Sequence, residues 1–147
     1  MDIKDFLSPD HALIDIRASD KAALLQDLSS RAALALNVSV DRIAADLLKR
    51  EELGTTGTGG GIALPHARMP EVTRPFGMLV RLKRPMDFDA IDSKPVDIVF
   101  LLLLPAAPEG DQFQALASVA RKLRDPSALR RLRGAADAAE FYHAMVQ

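Results

Sequence analysis

The sequence predicts an α/β fold: a three-layer α/β/α sandwich with a small mixed sheet and helices on both of its faces. Three observations carry that reading. Segments with helical and with strand periodicity alternate along the chain. The run from Val96 to Leu104 is apolar apart from Asp97 and opens with β-branched residues after Pro95, the pattern of a central strand covered on both sides. The C-terminal third has helical spacing only. At 147 residues, with no internal repeat and no low-complexity stretch, the chain is expected to form one domain over 1–147.

Each element has its own local reason. Residues 12–16 (ALIDI) make a short strand-like run, and Ser19 offers an N-cap to a helix from about Asp20 to Leu36. Ala23, Leu24, Leu28, Ala32 and Leu36 share one face of that helix. A second helix, capped by Ser39, covers about Val40 to Leu53 with Ile43, Leu47 and Leu48 as its apolar stripe. Gly54 to Gly61 holds five glycines among eight residues, so it reads as a loop with unusual backbone angles rather than as helix or strand. Ile62-Ala63-Leu64 is then a brief buried strand ended by Pro65. Over 76–82, Phe76, Met78, Val80 and Leu82 point inward, while Gly77, Leu79 and Arg81 form a wetter face. After the central strand, a helix from Gln112 to Arg124 is expected to bury Phe113, Leu116, Ala117, Ala120 and Leu123. Asp125-Pro126 supplies an N-cap and an N1 proline for a short helix ending near Gly134, and Asp137 to Val146 forms the last one.

Composition removes several function classes. Apolar residues make up 48% and charged residues 27%, which supports a buried core and excludes a chain disordered throughout. Nineteen Lys and Arg against twenty Asp and Glu leave a net charge of −1, no basic field for a nucleic acid. The absence of cysteine excludes disulfides, thiolate metal sites and cysteine nucleophiles. The acidic N-terminus does not look like a secretory signal, and the most apolar stretch, Ile98 to Ala107, is about half the ~20 residues a bilayer span needs. A cytoplasmic protein without membrane insertion is therefore expected.

The glycine loop invites three phosphate readings. A P-loop requires a Gly-Lys-[Ser/Thr] ending, but Gly59 is followed by Gly60 and no lysine follows the loop until Lys83. A dinucleotide fingerprint fails as well, since the loop runs from helix into strand and the third glycine position is Ile62. The third reading centres on His66, just after a buried strand and a loop of free backbone amides, with Thr55, Thr56 and Thr58 upstream and Arg50 near the end of the second helix. A neutral imidazole attacks a phosphoryl group without a strong base, and the oxygens it acquires need N–H, O–H and guanidinium donors. The plainer alternative, a histidine that only packs at a strand end, is weakened by the adjoining loop. Arg50 as a solvated helix charge and Thr55 and Thr58 as turn formers are the corresponding plain readings. His11 and His143 read as structural or surface residues, and no pair of histidines has metal-ligand spacing.

The stretch LLKREELGTTGTGGGIALPHAR, residues 47–68, resembles the signature of the fructose/mannitol-type enzyme IIA domain of the bacterial phosphoenolpyruvate phosphotransferase system. PMDFDAIDSKPVDIVFLLLLP and LASVARKLRDPSALRRLR fit the second half of that family, and residues 87–105 are most similar to its nitrogen-regulatory branch. The resemblance implies transient phosphorylation of His66 on Nε2 by an HPr-like carrier fed from enzyme I and phosphoenolpyruvate. It places Arg50 and Thr56 in the phosphoryl pocket and requires no cofactor and no metal. It further implies regulated cytoplasmic partners such as sensor kinases or potassium transport components. Two positions depart from the pattern: Gln112 stands where the family carries a second histidine, and Gly60 where the nitrogen-type branch has Asn. Two other functions remain open, a sugar-uptake enzyme IIA that passes phosphate to an enzyme IIB, and a binding module that no longer transfers it.

Overall fold

The computed structural model describes residues Met1 to Gln147. After a 3-10 turn at Ile3–Asp5, the chain runs through β1 (Leu7–Ile16), α1 (Lys21–Leu36), α2 (Val40–Glu52), β2 (Gly57–Gly59), β3 (Ile62–Ala63), β4 (His66–Met69), β5 (Phe76–Met86) and β6 (Val96–Pro105). A second 3-10 turn at Gln112–Gln114 leads into α3 (Ala115–Lys122), α4 (Pro126–Gly134) and α5 (Ala138–Val146). The mixed sheet has the order β1-β5-β6-β3-β2, and β4 also pairs with β6. β5 runs antiparallel to β6, whereas β1 is parallel to β5. β3 and β4 are successive parallel partners of β6, with Ile62 opposite Ile98 and His66 opposite Leu102.

The three layers follow from strand alternation. On β6, Val99, Leu101 and Leu103 face a core that includes Leu24 and Leu28 of α1 and Ile43 and Leu47 of α2. Ile98, Phe100, Leu102 and Leu104 face the opposite core, with Val119 of α3, Leu132 of α4 and Phe141 of α5. The expected central strand is thus covered on both sides.

Several local expectations are corrected. The N-cap of α1 is Asp20, not Ser19: its carboxylate accepts from the Ala23 amide at 2.8 Å. Ser39 occupies the N-cap position of α2 without a side-chain cap bond, and Leu48 is 55% exposed, off the stripe. β1 begins at Leu7 rather than residue 12, because an edge strand tolerates Pro9 and the polar residues around it. The wetter face of β5 does not exist at Leu79, which is fully buried under the second helical layer. Arg81 is accommodated there by donating to the carbonyls of Leu132 and Ala135, both at 2.9 Å, at the end of α4. The expected helix at 112–124 begins as a 3-10 turn, so Phe113 lies ahead of the α-helical stripe and is 61% exposed; Ala117 is exposed too.

The glycine segment is not only a loop. Gly57–Gly59 pairs antiparallel with β3, and Gly59, Gly60 and Gly61 have φ of 99°, 69° and 82°. The unusual angles therefore close a hairpin. At Gly61 a Cβ would lie 2.5 Å from Arg133 Nη2 and 2.8 Å from Asp97 Oδ1, so the position admits no side chain without displacing that ion pair.

Candidate functional site

The last turn of α2, the glycine hairpin and the first residue of β4 meet at His66. Pro65 is buried and its carbonyl accepts from the Leu102 amide at 3.0 Å, so the backbone that presents His66 is fixed on the central strand. His66 is half-buried. Its Nδ1 lies 2.8 Å from the carbonyl oxygen of Leu64. A carbonyl only accepts, so Nδ1 carries the proton and Nε2 keeps its lone pair. Arg50 Nε donates to that Nε2 at 3.3 Å, which requires the same tautomer. Burial pushes the His66 pKa below the ordinary value; the Leu64 carbonyl opposes this, and the Arg50 and Arg68 guanidiniums reinforce it. The site therefore holds a neutral, nucleophilic imidazole.

Arg50 also donates from Nη1 to the Gly54 carbonyl at 2.9 Å, so one guanidinium bridges the imidazole and the start of the hairpin segment. His66 and Arg50 open onto a depression of about 620 Å³ lined also by Asp46, Lys49, Leu53, Ala67 and Arg68. Three cations and one carboxylate leave it positively charged, as a phosphoryl dianion requires.

Thr56 is placed differently from its two partners. It is 3% exposed, its hydroxyl donates to Oε1 of Glu51, and its amide donates to Oε2 of Glu51 at 3.2 Å. No hydrogen bond joins its side chain to His66. Thr55 donates to the Phe88 carbonyl at 3.1 Å and accepts from the Gly57 amide, the turn role. Gln112 accepts from the Glu109 amide at 2.9 Å within its own turn and makes no bond to His66. Gly60 is tied by its amide to Asp92 and by its carbonyl to Arg133. His11 stacks edge-on against Phe76 and His143 against Tyr142, and no group of three metal-ligating side chains converges.

Sequence reasoning passed over Glu51 and Arg68. Arg68 had a signal, since residues two apart on a strand share a face and it follows His66 at that spacing. Glu51 lies within the 47–68 stretch that carries the family resemblance, beside Arg50, but an acid at a helix end ordinarily faces solvent and no role followed for it.

The protein-family model described as "Phosphoenolpyruvate-dependent sugar phosphotransferase system, EIIA 2" matches residues 5–147. The chain belongs to this family. Among EIIA relatives, a nitrogen regulatory protein of Bradyrhizobium diazoefficiens is 40% identical over 142 residues, 97% of this chain and 93% of the relative. A fructose-specific EIIA component of Haloferax volcanii is 44% identical over 85 residues, 56% of this chain and 55% of that protein. The crystal structure of nitrogen regulatory protein IIA-Ntr from Neisseria meningitidis superposes with a TM-score of 0.91 at 30% identity, covering 97% of this chain and 98% of that one. The three-layer α/β/α architecture is thus that of EIIA structures, and the chain is a phosphocarrier of the phosphotransferase type. No helix of this EIIA chain is long and apolar enough to cross a membrane.

Proposed function

We infer that this EIIA chain is a regulatory phosphocarrier that accepts a phosphoryl group on Nε2 of His66 from an HPr-like protein, itself charged by enzyme I from phosphoenolpyruvate. The single observation that carries the reading is the hydrogen bond from His66 Nδ1 to the Leu64 carbonyl, which leaves the Nε2 lone pair facing the cationic depression. In the transfer, the P–N bond of the donor phosphohistidine breaks as a P–N bond to Nε2 forms. The donor imidazole leaves with its electron pair, and the Nδ1 proton stays against Leu64, so no external base takes part. Arg50, released from the consumed lone pair, is in reach of the new oxygens, with Lys49 and Arg68 at the rim. Thr56 serves the pocket through the hairpin it anchors.

The phosphoryl group adds a charge of about −2 to this surface. That change selects between cytoplasmic partners, for which sensor kinases and potassium transport components are the candidates. The near-full-length match to a nitrogen regulatory protein supports a regulatory role; the fructose-specific match, over about half the chain, keeps transfer to an enzyme IIB as the second reading.

Intact-mass measurement with phosphoenolpyruvate, enzyme I and the HPr-like carrier tests the proposal. The native chain is expected to gain about 80 Da, one HPO₃, and His66→Ala to gain nothing. Labelling that survives His66→Ala overturns the assignment. No gain in the native chain with active carriers would mean a binding module that has lost transfer, and rapid discharge to an enzyme IIB would mean the sugar-uptake role.

A further inference from the structure

Glu51 is a carboxylate that the transfer chemistry does not use, yet its side chain is only 4% exposed and fully engaged. Its Oε2 lies 2.8 Å from Lys21 Nζ, at the first residue of α1, and accepts the Thr56 amide at 3.2 Å; its Oε1 accepts the Thr56 hydroxyl. The chain of contacts does not stop there. The Thr56 carbonyl accepts from the Leu64 amide at 3.0 Å, and the Leu64 carbonyl is the acceptor for His66 Nδ1 at 2.8 Å. His66 Nε2 then accepts from Arg50, the residue next to Glu51 in the last turn of α2. Residues 50, 51, 56, 64 and 66 form a closed ring of contacts, and every link but the peptide bond between 50 and 51 is a hydrogen bond.

We propose that Glu51 is a positioning residue: by clamping Thr56 it holds the Leu64 carbonyl where it captures the Nδ1 proton of His66, and so keeps Nε2 as the nucleophilic nitrogen. The proposal rests on His66 being the phosphoryl acceptor. Its physical basis is that the proton of a neutral imidazole moves between two nitrogens of similar basicity unless a fixed acceptor holds it on one. The Leu64 carbonyl lies between two anchors, the Leu64 amide bonded to the Thr56 carbonyl on one side and the Pro65 carbonyl bonded to the Leu102 amide on the other, and Glu51 acts through the first. Thr56 lies in the turn between α2 and β2, and the two bonds from Glu51 are the contacts that fix its amide and its hydroxyl. Lys21 supplies the cation that pairs with this buried carboxylate and is itself held over the Phe88 ring at 4.4 Å. In this way the first residue of α1 supports an imidazole on β4 through Glu51, Thr56 and Leu64.

The test is nitrogen-15 NMR of the histidine ring in the unphosphorylated protein above its titration range, read beside the rate of phosphoryl acceptance. Native His66 should show a protonated Nδ1 and an unprotonated Nε2. Glu51→Ala should move His66 toward a tautomer mixture and slow acceptance roughly 10- to 100-fold, as when the hydrogen-bond partner that orients a metal-ligating histidine is removed. Glu51→Gln retains an acceptor for the Thr56 amide and should keep the native tautomer. A folded Glu51→Ala protein with unchanged ring shifts and unchanged acceptance overturns the proposal, as does a native His66 protonated on Nε2. If Glu51→Ala does not fold, Thr56→Val removes the hydroxyl link alone and should shift the tautomer in the same direction to a smaller extent; unchanged shifts there overturn it too. Because the tautomer is read without phosphate, a native chain that is never phosphorylated would refute the phosphocarrier reading while leaving this measurement decisive for Glu51.

Discussion

Burial and the guanidiniums of Arg50 and Arg68 hold His66 below the ordinary histidine pKa of about 6.5. In the unfolded chain the same ring takes up its proton near that ordinary value, so between the two the unfolded state binds more protons. Stability contributed by a neutral His66 is therefore present above about pH 6.5 and declines as pH falls from there through the lower folded value. For the proposed transfer to His66, the consequence is that the neutral imidazole survives mild acidification. The rate of phosphoryl acceptance by the native chain should stay level from pH 7.5 to below 6.5, and an NMR titration of the His66 ring should give a midpoint under 6.5; a midpoint above it would contradict the burial account. His66 and Arg50 were both legible as residues, because the glycine segment sets off the histidine that follows it and the arginine at the end of the helix before it. The orientation of Thr56 was not. Its hydroxyl turns to Glu51, and an acid adjacent to Arg50 in sequence lies about 100° away around a helix, where no pattern tells solvent from a buried partner.

Among the secondary elements, the start of α1 separates two neighbouring cap candidates. Asp20, whose carboxylate takes the Ala23 amide, should cost about 1 kcal/mol when replaced by Ala, while Ser19→Ala should be close to neutral. Thermal unfolding of the two variants checks this, and a reversed order would mean that Ser19 is the true cap. The helices were readable because a 3.6-residue apolar period, Asp125-Pro126 and Asp137 act locally. The β2–β3 hairpin was not, since glycine has poor strand propensity and only the long-range pairing of β3 with β6 selects its register. β4 was missed for the same reason: four residues carry little period-two signal, and their partners, such as Leu102 for His66, lie 36 positions away.

For the molecule as a whole, packing centres on β6, and Phe100 sits in the middle of that strand. It is fully buried, meets Phe6 edge-on at 6.3 Å, and fits against the bare backbone of Gly77, where a Cβ would come within 2.7 Å of its ring. Phe100→Ala should cost about 3–5 kcal/mol, a fall in melting temperature on the order of 10 °C; a fall of only a degree or two would show that the helices over that face collapse into the space. The apolar run of β6 announced a strand buried on both sides, and with it the three layers, because burial on two faces leaves a composition that no amphipathic element shares. His66 and Arg50, which the structure brings into hydrogen-bond contact, could likewise be read from residue types and order. What tertiary structure alone decided is the ring through residues 50, 51, 56, 64 and 66 and the cationic rim around it. Hydrogen bonds depend on atoms brought within about 3 Å, and that proximity is set by how α2, the hairpin and β4 settle against one central strand.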